Sequence, residues 1–221
     1  MIQHRILIPL VVASAINAGL ASPTVIYQTN YSTGFSNGNL LNQDGWVGQN
    51  IAQVDANTGI VTSIGGPWDR NLQGAGARGG TGGTPNSSGT FQTNSVLIIS
   101  FDYQFTLPST SNSDLINAGF AAAKPPTGAP TIDFGFDSKF ISSSSTVRFF
   151  PDRDDTDAAD ALVLTNSNVG IDPANSDFQS APLRIDYQIT KTASSTWTVS
   201  GFTVKNLNSG LTYTYTGPVQ T

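Results

Sequence analysis

The sequence contains no cysteine and no glutamate, and its one histidine and one methionine are His4 and Met1. Residues 22–221 therefore hold no Cys, His, Glu or Met at all. Each absence removes a chemistry. Disulfide scaffolds need paired cysteines, and structural zinc sites need Cys or His ligands. Ser-His-Asp and Cys-His catalysis need an imidazole base. A paired-carboxylate glycosidase is confined to aspartates, because all 15 acids of the chain are Asp. Ten scattered cations oppose them, for a formal net charge of −5. Nucleic-acid binding needs a basic face that neutralises phosphates, so no nucleic-acid partner is expected.

The N-terminus has the parts of a secretion signal. A short basic stretch ends at Arg5, an apolar run follows from Ile6 to Ile16, and Ala18-Gly19-Leu20-Ala21 puts small residues before Ser22. The run is shorter than the ~20 apolar residues of a spanning helix. We expect a signal peptide over 1–21, cleavage before Ser22 and a secreted protein, extracellular or on the cell surface. Nothing further along approaches a membrane span, so none is expected in the mature chain. Without cysteine, residues 22–221 must cohere through their core, and a domain of that size buries roughly 70% of its unfolded surface.

What is abundant points to strands and turns. Ser, Thr, Asn and Gly are 24, 25, 17 and 22 of the 221 residues. Thr favours strands, and Ser, Asn and Gly favour turns over helix. Leu97, Ile99, Phe101, Tyr103 and Phe105 alternate with polar positions that include Asp102 and Gln104. Ile132, Phe134 and Phe136 alternate with Asp133 and Asp137, and Leu183, Ile185, Tyr187 and Ile189 with Arg184, Asp186 and Gln188. Trp197 and Val199 share one phase while Phe202 and Val204 share the other, which places a β-bulge at Ser200-Gly201. Asn206–Gly210 is a turn before Leu211, Tyr213 and Tyr215, giving a hairpin over 195–216. Shorter strands are expected at 24–29, 51–55, 60–64, 115–122, 146–150 and 161–165. The pattern specifies one all-β domain over 22–221, an antiparallel two-sheet β-sandwich or jelly roll, with a Gly-rich loop at 73–89.

Two stretches carry a family resemblance. The first is Tyr31-Ser-Thr-Gly34-Phe35 leading through Gly38-Asn-Leu40 into Gln43-Asp-Gly45-Trp46. The second runs from Pro182-Leu-Arg-Ile-Asp-Tyr through Thr196-Trp-Thr-Val to Asn206-Leu-Asn-Ser-Gly210. In this order and spacing the chain resembles the concanavalin A-like lectin/glucanase superfamily, the LamG-like jelly rolls of secreted bacterial proteins that carry a PEP sorting tail. The sequence shows no such tail, so a tailless relative or a fragment is expected. The resemblance implies a jelly roll and a concave ligand face. It does not extend to the glucanase branch, whose Glu-x-Asp-x-Glu strand corresponds here to Asp133-Phe-Gly135-Phe-Asp137. At about 3.3 Å per residue Asp133 and Asp137 stand ~13 Å apart, beyond the roughly 5–9.5 Å that glycosidase carboxyl pairs span.

Three places could carry chemistry. Trp68-Asp69-Arg70, beside the Gly-rich loop, offers an aromatic for sugar stacking with a carboxylate and a guanidinium for the hydroxyls; it equally suits an edge plug of the core. Asp102, Gln104, Asp133, Asp137 and Asp186, with Arg184 and Gln188, lie on polar strand phases. They form one ligand-binding surface if their strands are neighbours, or the ordinary solvent side of a sheet. Asp152, Asp154, Asp155 and Asp157 crowd one loop that suits Ca²⁺ or, equally, a solvated acidic turn. The Gly74–Gly79 match to a dinucleotide fingerprint lacks the helix that must follow it.

With no catalytic set, the sequence favours a non-catalytic lectin-like module that binds extracellular polysaccharide or glycan. The alternatives are a hydrolase or lyase working with Asp pairs or with Tyr103, Tyr187, Arg148 and Lys139, and a structural cell-surface or matrix protein. The calcium expectation is directly measurable. Calorimetric titration should detect binding tighter than millimolar, and no heat in that range refutes it.

Overall fold

Alternating apolar and polar residues condense into strands throughout, with no α-helix among the described residues. The computed structural model describes residues 4–14, 24–40, 43, 46–48, 52–63, 68–70, 93–107, 113–120, 134–151, 160–172, 174, 178–193 and 196–217. The strands are β1 (His4–Ser14), β2 (Thr24–Thr29), β3 (Gly38–Asn39), β4 (Trp46–Gly48), β5 (Ala52–Asp55), β6 (Ile60–Ser63), β7 (Trp68–Arg70) and β8 (Val96–Phe105). After them come β9 (Ser113–Phe120), β10 (Phe134–Ile141), β11 (Thr146–Phe150), β12 (Leu162–Thr165), β13 (Leu183–Lys191), β14 (Trp197–Asn206) and β15 (Thr212–Thr214). They form three antiparallel sheets. A nine-stranded sheet runs β15-β14-β13-β8-β1-β6-β5-β3, with β2 also on β1; a four-stranded sheet runs β12-β11-β10-β9; β4 and β7 pair alone.

The long strands follow the expected phases. Leu97, Ile99, Phe101, Tyr103 and Phe105 of β8 are buried, as are Leu183, Ile185, Tyr187 and Ile189 of β13. The expected bulge is present. Gln188 pairs with Gly201 and Ile189 with Val199, so Ser200 is the extra residue that returns Phe202 and Val204 to the core.

The apolar run that fits the heart of a leader is, in this chain, β1. It lies along β8 on one side and along β2 and β6 on the other. Its register against β8 shifts between Leu7 and Val11, around Pro9, which has no N–H to give a ladder. A continuous apolar run fits either role, because it lacks the period that tells them apart. Cleavage before Ser22 would leave β8 with β13 as its remaining partner.

Aromatic rings join the two larger sheets, Phe136 foremost. Phe136 of β10 is fully buried, with centroids 6.2 Å from Phe101 of β8, 5.7 Å from Tyr187 of β13 and 5.1 Å from Phe202 of β14. Phe149 of β11 lies 5.9 Å from Phe202. Tilted and offset rings at these separations suit the aromatic quadrupole and add to the area buried.

Amide side chains fasten the loops to this core. Asn206 is buried; its Nδ2 donates to Asn168 O at 2.9 Å, and its Oδ1 accepts from the N–H groups of Asn208 and Ser209. Gly170 sits beneath with φ +77°, where a Cβ would come 2.6 Å from Ala181 Cβ. Gln43, of the motif-like stretch, acts as a backbone substitute. Its Oε1 accepts from Ser36 N at 2.7 Å, and its Nε2 donates to Ser36 O and Asn39 O. Asn37 Oδ1 then accepts from Ala56 N, tying the 30–43 loop to the β5–β6 turn.

Phe136→Ala should therefore cost about 3–5 kcal/mol in chemical denaturation, since Phe101, Tyr187 and Phe202 all lose their shared contact. Gln43→Ala should cost about 0.5–1.5 kcal/mol, because water can take up the exposed Ser36 and Asn39 groups that it releases. A loss below about 1 kcal/mol for Phe136→Ala contradicts its bridging role.

Candidate functional site

The outer face of β8, β13 and β14 is fixed by the inner one. Because strand side chains alternate, burying Phe101, Ile185, Tyr187 and Phe202 turns Ser100, Asp102, Arg184, Asp186, Gln188 and Thr203 outward. Register sets these into rows. Arg184 stands between Asp102 of β8 and Lys205 of β14, Asp186 between Ser100 and Thr203, and Gln188 between Ile98 and Gly201. Neighbours along a row are about 4.8 Å apart between strands, and rows about 6.7 Å apart along them.

The first row is locked. Arg184 donates from Nε to Asp102 Oδ1 and from Nη2 to Asp102 Oδ2, the latter at 2.9 Å. A forked guanidinium–carboxylate pair is held in both orientation and distance. Asp102 is only 7% exposed although it lies on the outer phase. The hydrogen bond to Asp102, and the charges of Asp102 and Asp186, raise the already high pKa of Arg184 against partial burial.

The third row is a hydroxyl and amide cluster made by the bulge. Ser200 Oγ accepts from Gln188 Nε2 at 2.9 Å and from Thr190 Oγ1 at 2.7 Å. A regular strand would place Ser200 elsewhere; the inserted residue aims it at Gln188 and Thr190. Between the locked pair and this cluster stands Asp186, half-buried, with no hydrogen bond or ion pair to another described residue. Among the described residues the face thus offers one carboxylate without such a partner, flanked by the fixed Arg184 and by Gln188, with exposed Lys205 at its margin.

The residues expected from the sequence divide among several places. Asp102 and Asp186 share this face. Gln104 is on the same strand phase, but its Nε2 donates to Ser180 O at 2.8 Å, and Ser180 Oγ accepts from Phe105 N, so it serves to hold the 178–181 segment. Asp137 is not a neighbour of the others. It lies on β10 in the four-stranded sheet, one residue from Phe136 and hence on the side away from β8 and β13; its Oδ1 accepts from Ser138 N. The single surface joining Asp137 to Asp102 does not form, because strands of equal phase belong to different sheets. Trp68, Asp69 and Arg70 are β7, whose partner is β4, with Trp46 opposite Arg70. That pair is a sheet apart from the polar face. Asp133 and the calcium candidates Asp152, Asp154, Asp155 and Asp157 lie outside the described residues. Among the described residues no three His, Cys, Asp or Glu side chains are grouped to hold a metal.

The side chains considered for an enzyme are also placed. Tyr103 is fully buried, and desolvation pushes its phenol well above its ordinary value. Tyr187 is buried too and donates to Pro151 O at 3.1 Å. Arg148 and Lys139 are cross-strand partners on the four-stranded sheet. Ser100, Thr190, Ser200, Thr203 and Lys205 are face residues that the sequence pattern does not single out. The bulge phase is a signal for Ser200; for the others only the register identifies them. No family model matches the chain, and no curated protein and no solved structure matches it either.

The locked pair is testable by a double-mutant cycle. Arg184→Met, which strands the Asp102 carboxylate, should cost about 1–3 kcal/mol after allowance for the exposed third of Arg184. Adding Asp102→Leu should recover most of it. Equal losses in the single and double variants contradict a coupled pair.

Proposed function

We propose that the chain is a secreted, non-catalytic module that binds extracellular glycan through the outer face of β8, β13 and β14. In this reading the sheet that holds β8, β13 and β14 and the four-stranded sheet are the two layers of a sandwich of the concanavalin A-like kind, joined through Phe136. The observation that carries the proposal is the available Asp186 carboxylate, held on a rigid strand between the Asp102–Arg184 fork and the Gln188–Ser200–Thr190 cluster. Sugar hydroxyls are both donors and acceptors. A carboxylate accepts from them, while a guanidinium, an amide and an ammonium donate to them. Placing these groups on neighbouring strands fixes their spacing before a ligand arrives, which lowers the ordering cost of binding.

The same face argues against hydrolysis. A glycosidase needs two available carboxyl groups about 5–9.5 Å apart. Both oxygens of Asp102 are already taken by Arg184, which leaves Asp186 alone among the described acids of the face. Tyr103 and Tyr187 are buried beneath the sheet and cannot reach a substrate on it.

Binding to soluble polysaccharides, surveyed on a glycan array and then titrated calorimetrically, tests the proposal. Asp186→Ala and Gln188→Ala should each weaken the best ligand about tenfold, or about 1.4 kcal/mol, with the fold intact. A blank array, or a ligand that both variants bind as well as the parent, contradicts it.

A further inference from the structure

The nine-stranded sheet ends at β15, and the end is self-complementary. The backbone bonds from Asn206 N to Leu211 O and from Tyr215 N to Phe202 O put the odd-numbered residues of 211–215 in the ladder with β14. In an antiparallel pair the intervening residues then point their N–H and C=O groups the other way. Those residues are Thr212, Thr214 and Thr216, all exposed, and no described strand lies beyond them.

We infer that this edge pairs with the same edge of a second copy, about a two-fold axis at Thr214. The segment Thr212-Tyr213-Thr214-Tyr215-Thr216 reads the same in both directions. Antiparallel pairing centred on Thr214 therefore sets Thr214 against Thr214 and Thr212 against Thr216, each as a hydrogen-bonded pair using the outward groups. Tyr213 falls opposite Tyr215, so both faces of the new ladder carry like residues. Thr–Thr and aromatic pairs are favourable cross-strand neighbours. Leu211, 58% exposed, comes opposite Gly217 of the second copy, over which that copy's Tyr215 ring lies as an apolar neighbour.

Charge agrees with this occupant. The chain is net negative, yet residues 206–221 contain no charged side chain. Two identical strands can therefore approach without like charges meeting. The edge also lacks an inward charge, a bulge or a proline within 211–217, the devices that usually keep sheet edges apart. Pro218 has no N–H and stops the ladder beyond Thr216, so the contact is short and the dimer reversible. An isologous contact of this kind closes on itself and does not propagate. One consequence rests on the glycan reading: the dimer would set two polar faces on one continuous sheet. The pairing itself does not depend on that reading, and a mass measurement tests it alone.

Sedimentation equilibrium of the full chain from about 1 μM to about 1 mM is the decisive experiment. The wild type should shift from one to two protomers as concentration rises. Thr214→Pro removes the N–H on the axis but none in the β14 ladder, and Thr214→Lys sets two ammonium groups face to face. Both should stay monomeric across the range with wild-type circular dichroism. Should Thr214→Pro fail to fold, Thr214→Lys decides. A wild type that is monomeric throughout, one that grows past a dimer, or a Thr214→Lys chain that dimerises like the wild type overturns the inference.

Discussion

The packing of Phe136 against Phe101, Tyr187 and Phe202 decides where every other side chain of these strands points. Strand side chains alternate with a period of two, so a slip by one residue would exchange the inner and outer sets entirely. Once those rings are inside, Asp102, Arg184, Asp186 and Gln188 must be outside, in the rows that the β8–β13–β14 register prescribes. The candidate site is in this sense a product of the core. The bulge at Ser200 is the local exception. It lets Val199 and Phe202 both face inward while adding a hydroxyl to the polar side.

A chain without cysteine and with few charges must hold its loops by other means. Here primary amides take that role. Gln43 completes the backbone bonds of Ser36, Asn37 anchors the same loop to Ala56, and Asn206 joins the β14–β15 hairpin to the loop at Asn168. A primary amide carries both a donor and an acceptor, which suits it to irregular backbone that a ladder cannot satisfy. The motif around Gln43 follows from this arrangement: its glutamine is a clamp within its own loop.

Much of the fold is legible in the sequence because period two is a direct statement about burial. β8, β13, the bulge and the final hairpin are set by Phe101, Ile185, Phe202 and their neighbours alone. What the sequence cannot express is which strands meet. Asp137 and Asp186 have the same kind of alternation, yet one strand pairs with β9 and β11 and the other with β8 and β14. Pairing depends on contacts between residues distant in the chain, and no local pattern encodes it. The same gap hid Lys205, which matters only because register sets it beside Arg184. Trp68-Asp69-Arg70 looked like a loop-borne site because its partner strand at 46–48 is only three residues long. The apolar run at 6–16 shows the opposite difficulty, a pattern that serves a leader and a central strand equally well.

The ligand surface proposed for this chain is the outer face of β8, β13 and β14, with Asp186 at its middle. Amide chemical-shift mapping during titration with a bound oligosaccharide tests it most directly, since it reports on every strand at once. The account predicts shifts concentrated at 100–102, 184–190 and 200–205, with β9–β12 unaffected. Shifts centred on the four-stranded sheet or on the 68–70 strand, with the β13 amides unmoved, would contradict it.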